Sequence, residues 1–237
     1  MQHPGPADSV QVEAIQAEGV RRLIVVTNDG EVTLSDSGGP QLTGTTTATP
    51  TNKPTVRQHG GWLMIRATRQ EATVSLAIPA GIDVEVRTRS GAISTEVTLG
   101  SAVISTGSGD IHLTSVTGTL GVFTESGDLD IADLAGSGRL RTGSGDITLG
   151  TLHDSLEIRS GSGDVTVASN YGDLRVWAGS GDVTVGVPLN LPTWLDLTSA
   201  TGDVSVHLPD RAFDEEPTEQ ASLTVATAAG DINVVPA

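Results

Sequence analysis

The sequence predicts an all-β fold in which the backbone winds into a β-solenoid with coils of about 18 residues. A Ser-Gly-Asp motif recurs at constant spacing, and apolar and polar residues alternate after each copy. Apolar residues make up 37% of the chain and aromatic residues only 3%, so the core must be built from Val, Ile, Leu and Ala. β-branched residues occur along the whole length, which favours strands over disorder.

The period is set by five aspartates, each preceded by Ser-Gly and followed by an aliphatic residue. They are Asp110, Asp128, Asp146, Asp164 and Asp182, and each step is 18 residues. Ser90-Gly91 lies one step earlier without the carboxylate. Thr201-Gly202-Asp203 and Ala229-Gly230-Asp231 follow at steps of 21 and 28. We therefore expect the unit to continue in chain order, with insertions of 3 and 10 residues.

Each repeat contains two short strands with one buried face. The first and third residues after each Asp are apolar and the second is polar, as in Ile111, His112 and Leu113. Positions 10 and 12 repeat the pattern, as in Leu156 and Ile158. One unit cannot bury its apolar face alone, whereas stacked coils about 4.8 Å apart can. An antiparallel stack of hairpins would produce a similar alternation, so both arrangements remain open at this point.

The Ser-Gly-Asp turn has a direct physical explanation. Gly takes a positive φ, and Asp or Ser hydrogen-bonds to nearby turn amides. The five aspartates are also a weak calcium candidate, because calcium prefers rows of carboxylate and carbonyl oxygens. No metal is needed to hold them together, since two exposed charges ~5 Å apart repel by only ~0.8 kcal/mol in water. One turn hydrogen bond contributes roughly 1 kcal/mol. We therefore predict turn chemistry, with no cofactor.

The first third of the chain is off the period. Val20 to Leu34 predicts two strands about the turn Asn28-Asp29-Gly30, as in a hairpin. Further strands are predicted near Trp62–Ile65 and Val74–Ile78. We interpret residues 1–237 as a single domain in which 1–85 form an irregular β cap or irregular first coils. Residues 86–237 form the regular repeats.

Two insertions interrupt the period, near residues 187–195 and 207–220. The first carries a Trp between prolines, and Trp is over-represented at binding hot spots. The second is acidic and reads as an exposed loop. The candidate partner-binding residues are Leu191, Trp194, Leu195, Phe213, Glu215 and Glu216. The alternative for the first insertion is that it packs over the C-terminal end of the core.

Charge and composition exclude several classes of function. The net charge of −16 argues against binding to nucleic acid or to anionic lipid surfaces. The absence of cysteine excludes disulfides and thiol chemistry. No signal peptide and no apolar run of membrane-spanning length is found. If the chain is full length, we expect a cytoplasmic protein with no direct membrane insertion.

Catalysis is not predicted. Some β-solenoids cleave acidic polysaccharides and need an Arg cluster, and Arg139, Arg141, Arg159 and Arg175 do cluster in sequence. With the period in place, Arg139, Glu157 and Arg175 stack as an outward row, which a surface ion-pair ladder explains. No set of groups converges on a cleft. The five histidines occupy different repeat positions, which argues against a zinc site.

The sequence resembles the bacterial DUF4097 family, also described as adhesin-like or Toastrack β-strand repeats. Residues 77–81 read Ala-Ile-Pro-Ala-Gly and precede the strand 84–88 and Ser90-Gly91. The segments 143–149, 161–167 and 179–185 each begin with Gly-Ser-Gly-Asp. An N-terminal strand at 20–23 leads into the turn 28–32. The resemblance implies a right-handed β-solenoid without established catalysis and a link to bacterial envelope-stress systems.

The predicted function is a non-catalytic protein-interaction or scaffold module, with an unidentified protein partner or with itself. One alternative is a self-assembling solenoid similar to bactofilins, although Pro236 would blunt the C-terminal edge. Another alternative is a carbohydrate-binding or carbohydrate-active protein. The supply of aromatic platforms for a sugar is thin, consisting of Trp62, Trp177, Trp194 and Tyr171.

Overall fold

The computed structural model describes residues 11–48, 54–67, 72–209 and 220–237. Within these ranges the chain forms strands joined by turns and contains no helix, which confirms the predicted all-β class. In the described part of the chain no helix is therefore available to cross a membrane.

The structure contains 23 strands in its described residues. The first twelve are β1 (Gln11–Glu18), β2 (Arg22–Thr27), β3 (Val32–Asp36), β4 (Gln41–Ala48), β5 (Thr55–His59), β6 (Trp62–Ala67), β7 (Ala72–Ile78), β8 (Asp83–Arg87), β9 (Ile93–Leu99), β10 (Ala102–Ser108), β11 (Ile111–Val116) and β12 (Leu120–Ser126). The others are β13 (Leu129–Leu134), β14 (Gly138–Ser144), β15 (Ile147–Leu152), β16 (Ser155–Ser162), β17 (Val165–Asn170), β18 (Asp173–Ser180), β19 (Val183–Val187), β20 (Thr193–Ser199), β21 (Val204–Val206), β22 (Ala221–Ala229) and β23 (Ile232–Pro236).

These strands form two long sheets. The first sheet has the order β1-β4-β7-β3-β9-β11-β13-β15-β17-β19-β23-β21. The second sheet has the order β20-β22-β18-β16-β14-β12-β10-β8-β2-β6-β5. From β8 to β19 the chain passes from one sheet to the other at every turn, so that each pair of consecutive strands adds one strand to each sheet.

Parallel pairing joins successive pairs of strands. In the first sheet Ile111 is in register with Leu129, and in the second sheet Leu140 is in register with Ile158. These partners are 18 residues apart in sequence. The pairing excludes the antiparallel hairpin stack for this part of the chain and gives a solenoid-like body.

The stack does not follow chain order at its two ends. At the N-terminal end, β2 and β3 lie against β8 and β9, while β6 and β7 pair on their outer side. At the C-terminal end, β22 and β23 lie between β18 and β19 on one side and β20 and β21 on the other. The predicted succession from Asp182 to Asp203 to Asp231 is therefore wrong, because the spacing of motifs records order along the chain and not order in the stack.

Two further expectations are corrected by this topology. The strands flanking Asn28-Asp29-Gly30 do not form a hairpin, because β2 belongs to the second sheet and β3 to the first. Their turn is a corner of the solenoid, where Gly30 has φ 121° and Asp29 bridges to Ser90. Pro236 does not blunt an edge, because β23 is an internal strand and the three-residue β21 is the edge of the first sheet.

The core between the sheets is aliphatic, as composition predicted. One continuous cluster of buried Val, Ile, Leu and Ala side chains extends from Ile15 to Val234. A few polar side chains are buried with it. The hydroxyls of Thr124 and Thr142 each donate to the carbonyl two residues further on, at 2.9 Å. These bonds satisfy buried hydroxyl groups beside the Ser-Gly-Asp corner.

Candidate interaction surface

The aspartates form a hydrogen-bonded row at one corner of the solenoid. Six of the seven aspartates, all but Asp110, donate their backbone amide to Oδ1 of the Asp in the preceding coil, over 2.8–3.0 Å. In spatial order the row is Asp110, Asp128, Asp146, Asp164, Asp182, Asp231 and Asp203. No group of three or more His, Cys, Asp or Glu within the described ranges is placed to hold a metal. The observed bonds join the coils, and calcium binding by the row stays the weak alternative to the predicted turn chemistry.

The glycine of each corner is required by its backbone. Gly145 has φ 114°, and a Cβ there would lie 2.3 Å from the carbonyl oxygen of Gly127 in the preceding coil. A side chain would be strained by φ and would also overlap this oxygen. The motif thus pairs a glycine that permits close approach with an aspartate that bonds across it.

The first insertion forms the C-terminal end of the second sheet. Trp194 lies on β20 and is 74% exposed, whereas Leu195 on the same strand packs partly against the core. Leu191 is half-buried in the turn that precedes β20. Of the three predicted contact residues that the structure describes, Trp194 is the most accessible. Phe213, Glu215 and Glu216 lie outside the described residues.

A row of aromatic and basic side chains crosses the outer face of the second sheet. In register on four successive strands are Phe123, Arg141, Arg159 and Trp177. Phe123 is 44% exposed and Trp177 is 38% exposed. The neighbouring row brings Arg139, Glu157 and Arg175 into register. We call these seven residues the Arg–aromatic face.

Ion pairs fix part of this face. Glu157 accepts from Nη2 of Arg139 at 3.0 Å and from Nε of Arg159 at 2.8 Å. Desolvation raises the pKa of Glu157, but the hydrogen bonds and charges of Arg139 and Arg159 together outweigh it and hold the pKa below its ordinary value. The guanidinium carbon of Arg159 lies 5.2 Å from the centroid of the Trp177 ring. Arg159 is thereby held from two sides.

Two arginines of the face are left without an ionic partner. Among the described residues, neither Arg141 nor Arg175 makes an ion pair, and both are exposed. Arg141 also lines a shallow hollow of about 410 Å³, together with Phe123, Glu125, Gly143 and Arg159. Gly143 has no side chain to cover the bottom of the hollow beside the row. The face thus offers the free guanidinium of Arg141 between two exposed rings, and that of Arg175 on the same strand as Trp177.

The sequence predicts only part of this face. It places Arg139, Glu157 and Arg175 in one outward row, and the register shows that row. No connection between Phe123 and Trp177 was predicted, although both follow their Ser-Gly-Asp aspartates by 13 residues, as do Arg141 and Arg159. The same period that predicts the core would have found the row.

A comparison with protein families shows to which family the chain belongs. A family model described as Toastrack DUF4097 matches residues 20–235. The chain belongs to the Toastrack DUF4097 family. This confirms the resemblance inferred from the repeated Gly-Ser-Gly-Asp units. Curated proteins gave no match to this Toastrack chain.

Solved structures match the Toastrack chain at low sequence identity. A putative adhesin from Parabacteroides merdae is 11% identical with a TM-score of 0.51, over 95% of this chain and 96% of that one. A putative adhesin from Bacteroides fragilis is 13% identical with a TM-score of 0.39, over 97% and 99%. A putative cell adhesion protein from Clostridium sporogenes is 13% identical with a TM-score of 0.30, over 95% and 99%. The first of these shows a common fold.

Proposed function

We propose that this Toastrack chain is a non-catalytic, adhesin-like protein-interaction or scaffold module linked to bacterial envelope-stress systems. The observation that carries the proposal is the Arg–aromatic face, where Trp177 and Phe123 remain exposed beside two unpaired arginines. Trp and Arg are the residues most enriched at binding hot spots. Family membership and the adhesin names of structural neighbours support a role in interaction.

The shape of the face suits a contact with a macromolecule. Small-molecule and substrate sites are usually concave and enclose most of the ligand. The hollow beside Arg141 is shallow and lies on the outer face of a sheet, so a bound molecule would remain largely exposed. This geometry favours a broad contact and supports the non-catalytic assignment.

The proposal includes the architecture that presents the face. We propose a right-handed solenoid with coils of about 18 residues, as the family resemblance implies and as the register of Ile111 with Leu129 supports. We also propose a single domain of residues 1–237, with 1–85 as an irregular β cap or irregular first coils. Adjacent coils then hold the four members of the Phe123–Trp177 row at fixed spacing on a rigid support.

Affinity purification with matched variants tests the proposal. Tagged wild-type chain, an Arg141→Glu/Trp177→Ser variant and an Arg57→Glu control would be incubated with native lysate that includes membranes. We expect one protein to be recovered by the wild type and the control and to be lost from the double variant. Arg57 is exposed on β5, away from the face, so the control makes the same charge reversal elsewhere. Equal recovery by all three chains would contradict the proposal.

Self-association is a second candidate, and the C-terminal end of the stack favours it. Val204 and Val206 face the core side of β21 in register with buried Ile232 and Val234, yet they are 45% and 46% exposed. Stacking of a second copy on this end would cover them. Sedimentation over a wide concentration range tests this candidate, and a strictly monomeric chain at high concentration would eliminate it.

A further inference from the structure

We propose that the Arg–aromatic face binds an acidic peptide segment of a partner protein, with Arg141 and Arg159 contacting its carboxylates. The inference rests on the proposed function and names the chemistry of the partner. Arg is suited to this task because its planar guanidinium presents donors in a fork that matches a carboxylate. The two arginines are in register on neighbouring strands, so their Cα atoms lie about 4.8 Å apart.

The positions of the side chains prepare the face for such a ligand. Arg159 is held by Glu157 and by the Trp177 ring, which reduces the side-chain entropy lost on binding. Arg141 has no ionic partner in the described part of the chain, so its donors are available. The row from Phe123 to Trp177 spans three strand spacings, about 14 Å, which is the length of four to five extended residues.

The negative charge of the rest of the chain would direct an acidic ligand to the Arg–aromatic face. The face contains four of the 13 Lys and Arg residues and one of the 29 Asp and Glu residues, Glu157. A second acid, Glu125, lines the hollow beside Arg141, so the face and its hollow hold four basic and two acidic residues, and the rest of the chain holds 9 basic and 27 acidic residues. An acidic segment would be repelled by most of the surface and attracted at this place. Such an arrangement steers the encounter and fixes the orientation of the partner.

A peptide fits the face better than a small anion. Phe123 and Trp177 at the two ends of the row offer apolar contact in addition to charge, and the combination of aromatic and Arg side chains is typical of protein interfaces. The strands that carry the row are internal to the second sheet, so the partner would be recognised by side chains and not by addition of a strand.

Fluorescence anisotropy with defined probes tests the inference on the full chain. The probe is a labelled ten-residue peptide of alternating Glu and Leu, and the matched control peptide replaces Glu with Gln. We expect binding of the Glu peptide alone, weaker at higher salt. Arg141→Glu should weaken binding by about tenfold or more, since a charged hydrogen bond becomes a repulsion. Arg57→Glu should remain within about twofold of wild type, as expected for a charge far from the contact.

The outcomes separate this inference from the proposed function. Equal binding of both peptides, or equal effects of Arg141→Glu and Arg57→Glu, would overturn the acidic-peptide inference. Tighter binding of a labelled decamer of galacturonate than of the Glu peptide would also overturn it and would indicate an acidic glycan. A partner that is lost from the Arg141→Glu/Trp177→Ser variant while no Glu peptide binds would leave the proposed function in place and refute only the chemistry named here. Circular dichroism checks that each variant is folded.

Discussion

The backbone amide of Asp164 donates a hydrogen bond of 2.8 Å to Oδ1 of Asp146, one coil away. The same bond links Asp231 to Asp182 at 2.8 Å, although these residues are 49 positions apart in the sequence. The bond therefore follows the stacking of the coils and not the chain. It explains a recurring carboxylate at this corner without a bound cation.

Replacement of Asp146 separates the hydrogen bond from the charge. Asp146→Ala should lower the free energy of unfolding by about 1 kcal/mol, because the amide of Asp164 loses its acceptor. Asp146→Asn should retain most of the stability, because its amide oxygen can still accept. Urea unfolding with and without excess calcium provides the measurement. An Asn variant as unstable as the Ala variant, together with a calcium-dependent gain in wild type only, would contradict this account and support calcium binding instead.

The corner glycines should tolerate no side chain. Gly145→Ala would place a Cβ 2.3 Å from the carbonyl oxygen of Gly127 at φ 114°, so we expect a loss of more than about 2 kcal/mol in the free energy of unfolding. Gly121→Ala is the matched control, since nothing lies within 4 Å of a Cβ at that strand position. The control should be neutral or slightly stabilising. Similar thermal midpoints for both variants would contradict the close approach at the corner.

Asn170 is a polar residue at an apolar position of the coil. It is in register with Leu152 and fully buried, and its Nδ2 has no hydrogen-bond partner among the described residues. Its Oδ1 accepts only a long bond from the amide of Gly172, at 3.3 Å. Asn170→Leu should raise the free energy of unfolding by about 1 kcal/mol. The reciprocal Leu152→Asn should be destabilising, and a destabilised Asn170→Leu would show that the bond to Gly172 matters more than the orphaned amide.

The insertion of β22 and β23 into the stack predicts which C-terminal segment of the chain can be removed without loss of the fold. Deletion of residues 189–219 joins Pro188 to Gln220 and removes β20 and β21. Ser222 lies above Asp173 in the stack, since its amide donates to the Asp173 carboxylate. After the deletion two residues separate Pro188 from Ser222, and two residues also separate Asn170 from Asp173 in the preceding coil. The corner keeps its regular length, so we expect this chain to fold.

Deletion of residues 221–237 should be far more damaging. It removes the coil on which β20 and β21 pair and exposes Val183 and Val185, which are fully buried. Urea unfolding of the two deletion variants followed by circular dichroism compares them. If the chain that lacks 221–237 is at least as stable as the chain that lacks 189–219, the inserted topology is wrong. The first deletion also removes Trp194 and the second insertion, so its partner binding tests those predicted contacts.

The local pattern of residues predicts most of the fold but not the order of the strands at its two ends. The alternation around Ile111 and Leu113 predicts inward strand positions, and both residues are buried. The Ser-Gly-Asp motif predicts a corner, but the same corner forms whether a coil lies inside the stack or at its end. Asp203 and Asp231 therefore gave no signal of their exchanged order. The number of aromatic residues does not reveal the row of Phe123 and Trp177, whereas their common position in the repeat does.

Site-specific photo-crosslinking tests the central claim that the Arg–aromatic face is the contact surface. Benzoylphenylalanine would replace Phe123, Trp177 or, as a control, Thr148 on the outer face of the first sheet, and each chain would be irradiated in native lysate with membranes. The account predicts that positions 123 and 177 capture the same protein and that position 148 does not. Capture from position 148 but from neither position of the face would contradict it.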